Sequence, residues 1–359
     1  MSIAGANDEV KTLMGSLLGQ GTGRVSSDEA AEIARDMFDV EGVARPLGGE
    51  RDENFRIDAA GGVSYVLKIS HPAEDLIDTE FQVAALAHLA RDGAGLVVPQ
   101  PVSRPDGRLF GLIESKDGEP RAVRLLTYLS GELLHTVTPS PELMREIGNV
   151  TARLDSGLSG LEVTRPATGL LWDFANVTRL RPLLKHIEGD DIASPAAGAI
   201  SAFEEHVVET GPLLRSQILH NDLNPHNILV SADAPRRVSG ILDFGDMIHG
   251  PLIGDLAIAC CYHLEPGDNP LAGVAACVGG YHQYLPLCEK ELELLPYFMA
   301  ARQAMTVLIT EWRARENPEN RDYILRNNAS ARTGLQELAR LSRNQAQDLL
   351  VSACEGSVQ

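Results

Sequence analysis

The chain has 359 residues, 44% of them hydrophobic and 23% charged, with 31 basic against 50 acidic side chains and a formal charge of −19. That acid excess argues against nucleic-acid binding, because a phosphate backbone would repel it. The length supports one two-lobed unit or two compact ones, and no stretch approaches the roughly 18 uncharged apolar residues that span a bilayer.

Near the start, Asp8, Glu9 and Lys11 stand where a secretion signal needs an apolar run, which predicts a cytoplasmic protein. Ser26 and Glu29 have capping-box spacing and open a helix that runs to about Phe38. Strand patterns follow at 42–47, 54–58 and 63–70, punctuated by Gly48-Gly49 and Gly61-Gly62, and read as successive antiparallel hairpins. Residues 74–91 carry Leu76, Ile77, Phe81, Ala84, Leu86 and Leu89 at helical spacing and stop at Asp92-Gly93. Strands at 108–114 and 121–128 complete an expected five-stranded sheet with one helix against it.

At Ser140-Pro141, a cap and a first helical residue, the character changes to helices over 141–156, 171–187 and 195–209. The reading is an α+β molecule with an N-terminal lobe at 1–126, a hinge at 127–136 containing Gly131, and a helical lobe at 137–359. Residues 220–242 interrupt the helices with short strands at 228–230 and 238–242. Helices resume at 252–264, 270–284, 289–315 with a kink at Pro296, and 320–341. Cys260, Cys261, Cys277, Cys288 and Cys354 show no CxxC spacing, so they read as buried free thiols rather than a disulfide framework or a zinc knuckle.

The interruption carries the chemistry. It begins His220-Asn221-Asp222-Leu223-Asn224-Pro225-His226-Asn227, and sixteen positions beyond Asn227 comes Asp243-Phe244-Gly245-Asp246. Phosphoryl transfer needs a carboxylate to orient the attacking hydroxyl and accept its proton, and oxygen ligands for a magnesium ion that bridges phosphates. Asp222 fits the first task, and Asn227 with Asp243 fits the second. Asp and Asn also cap ordinary turns, so this reading demands two more residues upstream: a lysine on a strand and a glutamate on the next helix. Lys68 lies in the apolar strand Tyr65–Ile69, where a lone ammonium is costly. Glu80 follows twelve residues later on a helical face with Leu76, Ile77, Val83 and Ala84, which predicts a Lys68–Glu80 pair. A hydrolase metal site built from His220, His226 and Asp222 is the alternative, and it leaves Asn227 and Asp243 idle.

The order Lys68, Glu80, Asp222 to Asn227, Asp243 resembles the aminoglycoside phosphotransferase and choline kinase branch of the protein-kinase-like superfamily. The segments 220–229 and 238–247 look most like hydroxylysine kinases and the phosphotransferase domains fused to aminotransferases, and the resemblance covers about 43–341. It implies a protein-kinase-like two-lobed fold and a small-molecule kinase that uses magnesium with ATP or GTP. It also implies nucleotide contacts at Gly48, Gly49 and Asn54, α/β-phosphate contact by Lys68, and a base held by backbone near Thr127 and Leu129. His220 becomes structural. Asp255 ties the following helix to the catalytic loop, with contact to a substrate amine as its alternative role.

Residues 48–55 depart from the Gly-x-Gly-x-x-Gly of protein kinases, Asn221 replaces the arginine of their catalytic loop, and no Ala-Pro-Glu element follows Asp243. A regulated protein substrate is therefore not expected. The acceptor implied is hydroxylysine or a similar hydroxylated amine, with an aminoglycoside, choline, ethanolamine or homoserine as alternatives. A cationic acceptor calls for carboxylates and an aromatic face, for which Trp172 with Asp173 and Glu311 with Trp312 are the candidates. A catalytically silent nucleotide-binding module is the remaining alternative, opposed by the complete set of acidic, amide and lysine groups.

Overall fold

The computed structural model describes residues 25–49, 52–92, 95–114, 118–161, 170–234 and 236–355. Helix α1 (Ser27–Phe38) opens on the expected capping box: Glu29 N–H donates to Ser26 Oγ at 3.2 Å, and Ser26 N–H donates to the Glu29 carboxylate at 2.7 Å. Strands β1 (Gly42–Leu47), β2 (Glu53–Ala59), β3 (Ser64–Ile69), β4 (Gly111–Glu114) and β5 (Pro120–Thr127) form one antiparallel sheet in the order β1-β2-β3-β5-β4. Strand alternation sorts its two faces. Phe55, Ile57, Leu67, Ile69, Val123 and Leu125 pack under Ala30, Ala34 and Phe38 of α1. The other face presents Asn54, Lys68 and Arg124 in register, Asn54 opposite Lys68 and Lys68 opposite Arg124. Helix α2 (Leu76–Asp92) lies over that face, so the sheet carries two helices, one more than expected.

Beyond β6 (Glu132–Leu133) the chain is mainly helical. Helix α3 (Pro141–Leu158) starts at the predicted Ser140 cap. The helix expected over 171–187 is instead a 3-10 stretch, Phe174–His186, with Pro182 inside it withholding a backbone donor. Helix α4 (Asp190–His206) begins ahead of the Ser-Pro pair that was expected to open it. Strands β7 (Ser216–Leu219) and β10 (Ile248–Pro251) pair with each other, and β8 (Ile228–Val230) pairs with both β6 and β9 (Val238–Ile241). Sequence patterning did not reveal β6, β7 or β10, which are each two to four residues long.

Helices α5 (Ile253–Cys261), α6 (Ala272–Tyr284) and α7 (Glu289–Glu316) follow, and α7 runs through Pro296 without a break. The short α8 (Arg321–Ile324), α9 (Asn328–Arg340) and an unforeseen α10 (Arg343–Glu355) complete the described chain. The main core joins Phe81, Leu86 and Leu89 of α2 to Ile147 and Leu154 of α3, Ile253 of α5 and Phe298 of α7. Helices α3 and α6 touch backbone to backbone. A Cβ on Gly148 would overlap the Cys277 carbonyl, and one on Gly280 the Arg145 carbonyl. The five cysteines are free and all are buried except Cys288. No helix among the described residues is long and apolar enough to cross a membrane.

Candidate active site

The loop between β7 and β8 holds the predicted catalytic segment. Asn221 adopts a left-handed conformation, φ 64°, which for a non-glycine residue must be imposed from outside. Asp255 on α5 imposes it: its carboxylate accepts from His220 N–H at 2.7 Å and from Asn221 N–H at 2.6 Å. Fully buried beneath the loop, Asp255 is an anchor and is not among the residues lining the cavity described below. Under it lies Asp155 of α3, whose carboxyl is raised well above the ordinary range by burial and then by the charge of Asp255. Burial thus favours the neutral form of Asp155, and Tyr281 of α6 donates to its Oδ2 at 2.6 Å.

His220 accepts from Asp222 N–H at 3.2 Å through Nδ1, which leaves Nε2–H to donate to the Leu242 carbonyl at 2.9 Å. Both ring nitrogens are spent, and burial holds the ring neutral. His226 stacks on His135 at 4.0 Å instead of facing a metal. The hydrolase arrangement is not assembled.

Asp222 is held on both oxygens. Oδ1 accepts from Arg302 Nη2 and Asn224 Nδ2, each at 2.9 Å, and Oδ2 accepts from Asn227 Nδ2 at 2.7 Å. Burial raises its carboxyl above the ordinary value, and the Arg302 guanidinium opposes that rise. Asn227 Nδ2 also donates to the Asp222 carbonyl at 2.9 Å, so the amide nitrogen is committed. Its Oδ1 accepts no hydrogen bond among the described residues. Asp243, also left-handed at φ 59°, lies 3.5 Å from Lys68 Nζ, and that ammonium holds its carboxyl below the ordinary value. An uncommitted amide oxygen and an ionised, half-exposed carboxylate are hard donors. Two such ligands would suit a hard divalent cation such as magnesium.

On the sheet side, Lys68 pairs with Asp52 at 3.6 Å as well as with Asp243. The expected Lys68–Glu80 pair is not formed. Helix α2 turns Thr79 and Gln82 inward, where they meet Arg124 at 3.5 and 2.7 Å, and this rotation leaves Glu80, Leu76 and Ile77 exposed. Asp52, in the β1–β2 turn, takes the place assigned to Glu80 and also binds Arg124 at 2.9 Å. Gly48, Gly49 and Asn54 border the same space, and Asn54 Nδ2 closes the turn on the Gly48 and Asp52 carbonyls. At the hinge, Thr127 N–H is spent on Gln100 and Tyr128 N–H on Ser64, so Thr127 could meet a base only through its carbonyl. Leu129, whose backbone makes no hydrogen bond among the described residues, keeps that role open.

One cavity of about 200 Å³ has Gly48, Asp52, Lys68 and Arg124 on its sheet side and Asp222, Asp243, Tyr262 and Arg302 on its helical side; Asn227, Thr127 and Leu129 are not among its lining residues. Trp172 lines it, with one face of its ring taken by the Arg302 guanidinium at 4.9 Å. Asp173 caps the 3-10 stretch through Ala175 N–H, Glu311 pairs with Arg332 at 3.0 Å, and Trp312 is core. None of these three lines the cavity. Sequence reasoning missed Arg302, although an arginine inside the apolar run 298–309 signals a buried partner.

Residues 43–287 match the phosphotransferase enzyme family. The chain is 30% identical to hydroxylysine kinase of Danio rerio over 333 residues, 88% of this chain and 91% of that one. It is 28% identical to homoserine kinase of Burkholderia lata over 287 residues, 74% of this chain and 80% of that one. The solved microcompartment-associated aminopropanol kinase aligns with a TM-score of 0.65 at 20% identity, covering 90% of this chain and 98% of that chain. That likeness establishes the protein-kinase-like fold, with its antiparallel sheet before a helical region. Family match, full-length kinase relatives and fold agree: the chain belongs to the phosphotransferase enzyme family and is a small-molecule kinase acting on a hydroxyl group.

Proposed function

We propose that the protein transfers the γ-phosphoryl group of a magnesium nucleoside triphosphate, ATP or GTP, to a hydroxyl of a small amine-bearing acceptor, with hydroxylysine the first choice. The observation that carries this reading is the Lys68–Asp243 contact at 3.5 Å, which joins the sheet to the Asp-Phe-Gly segment over the cavity that also holds Asp222. Similarity to a hydroxylysine kinase along 88% of the chain supports the choice of acceptor.

Asp222 orients the acceptor hydroxyl and takes its proton. Its three side-chain donors fix the carboxylate in one pose, and burial lifts its basicity toward the working range. Lys68, steadied by Asp52, contacts the α- and β-phosphates. Asn227 Oδ1 and Asp243 would hold magnesium, which would supply positive charge to neutralise the transferring group. The β1–β2 turn at Gly48 and Gly49 covers the phosphates, and the backbone at Leu129 receives the base. The regions before and after 127–136 act as lobes about that hinge.

The test is coupled-assay ADP or GDP formation with hydroxylysine, homoserine, choline, ethanolamine and an aminoglycoside. Turnover is expected with hydroxylysine and is expected to fall by about a hundredfold or more in Asp222→Asn. Rapid turnover of another acceptor with none for hydroxylysine would overturn the acceptor, and silence across the panel would overturn the reading.

A further inference from the structure

The helical wall of the cavity carries two guanidinium groups that the mechanism above does not use. Arg313 continues the face of α7 that runs from Arg302 through Thr306 and Thr310, and Arg326 comes from the turn between α8 and α9. Both line the cavity beside Tyr323 and Asn327. Elsewhere in the cavity Lys68 pairs with Asp52 and Asp243, Arg124 with Asp52, and Arg302 with Asp222. Arg326 makes no ion pair among the described residues, and its guanidinium rests on the Tyr323 ring at 4.0 Å, which leaves its planar fork of donors for a ligand.

Arg313 is buried, and its pKa is pulled down to about 10 by that burial and then by Arg326. Arg313 and Arg326 thus stand as neighbouring cationic groups on one wall of the cavity. In a chain of charge −19, such a pair is not the by-product of a basic surface. Arg326 and Asp222 line the same cavity of about 200 Å³, which puts the cationic wall within a small molecule's length of the attacked hydroxyl.

We propose that Arg326, with Arg313 behind it, receives the carboxylate of the acceptor, so that the substrate class is a hydroxylated amino acid rather than an amino alcohol, choline or an aminoglycoside. The proposal rests on the kinase reading. It names the end of the acceptor opposite the reacting hydroxyl, and the same guanidinium chemistry would also suit a phosphate of the donor nucleotide.

The experiment compares matched acceptors with magnesium and ATP or GTP: 5-hydroxylysine against 1,5-diaminopentan-2-ol, and homoserine against 3-aminopropan-1-ol, with choline and an aminoglycoside alongside. The carboxylated member of the accepted pair is expected to have a kcat/KM about 100-fold higher or more, the scale of losing a charged hydrogen-bonding group from a built site. Arg326→Gln is expected to shrink that ratio by about tenfold through acceptor KM, and Arg326→Lys to restore part of it. Arg326 is exposed, so these variants are expected to fold, and Arg313→Gln gives an independent second variant.

Equal or better use of the decarboxylated member would overturn the proposal. An Arg326→Gln effect on nucleotide KM instead of acceptor KM would assign the guanidinium to the donor and overturn it too. Turnover of choline or the aminoglycoside alone would overturn the proposal and leave the kinase reading standing, whereas silence of every acceptor would remove the kinase reading itself.

Discussion

Asp222 carries opposed influences that an assay can separate. Burial raises its carboxyl and Arg302 lowers it, and only the ionised form accepts the acceptor's proton. Activity is therefore expected to fall as pH drops through a point above the ordinary carboxylate value. Replacing Arg302 with Gln removes the opposing charge, so the acidic limb of the kcat/KM profile is expected to move to higher pH; an unmoved limb would show that another group sets it. Asp222→Asn is expected to lower kcat by about 10²–10⁴-fold with nucleotide affinity retained, measured by steady-state turnover beside calorimetric nucleotide binding. Lys68 differs because its partners lie on both sides of the cavity. Asp52→Asn leaves Lys68 to Asp243 alone, and a several-fold rise in nucleotide KM is the expected sign that Asp52 is a positioning residue.

At the scale of elements, the catalytic loop is fixed from below by groups on three helices: Tyr281 on α6, Asp155 on α3 and Asp255 on α5. Folding raises the Asp155 carboxyl, so the folded chain binds that proton more tightly than the unfolded one. Stability from this group is complete below the ordinary carboxylate value and is lost as pH rises toward the raised one. Asp155→Asn keeps a neutral donor and needs no proton. Its melting temperature is expected to gain on the parent as pH goes from about 5 to 8, checked by scanning calorimetry, and a constant difference would mean Asp155 is ionised.

The legibility of these elements in sequence followed their length and their neighbours. The capped helices α1 and α3 and the motif at 220–227 were visible because their signals are local. Strands β6, β7 and β10 were not, since they exist only through partners distant in the chain. The rotation of α2 escaped for a related reason. Its apolar stripe leaves Leu76 and Ile77 exposed while polar Thr79 and Gln82 turn inward to Arg124, a partner on β5 that periodicity cannot announce. Asp52 sits in a turn that pattern reading treats as filler, although the buried Arg124 and the partly buried Lys68 converge on it.

For the whole molecule, the cavity draws its walls from both the sheet and the helical region, so a bound nucleotide links them. Magnesium with a non-hydrolysable nucleotide is expected to raise the melting temperature, with stabilisation of about 2.7 kcal/mol at a hundredfold excess over Kd. Lys68→Met is expected to remove most of the shift while leaving the unliganded melting temperature close to the parent's. An undiminished shift in that variant would place phosphate binding elsewhere.

The glycine contact between α3 and α6 acts as a gauge. Where two backbones meet with no side chain between them, their separation is set by the radii of carbonyl oxygens, which neither rotate away nor compress. Asp155 stands two turns beyond Gly148 and Tyr281 directly follows Gly280, so the 2.6 Å bond that supports the loop is measured from that contact. Substitutions on the outer faces of either helix leave this calibration alone. A single methyl at Gly148 or Gly280, remote from any substrate, would lift the loop that carries Asp222 off its setting.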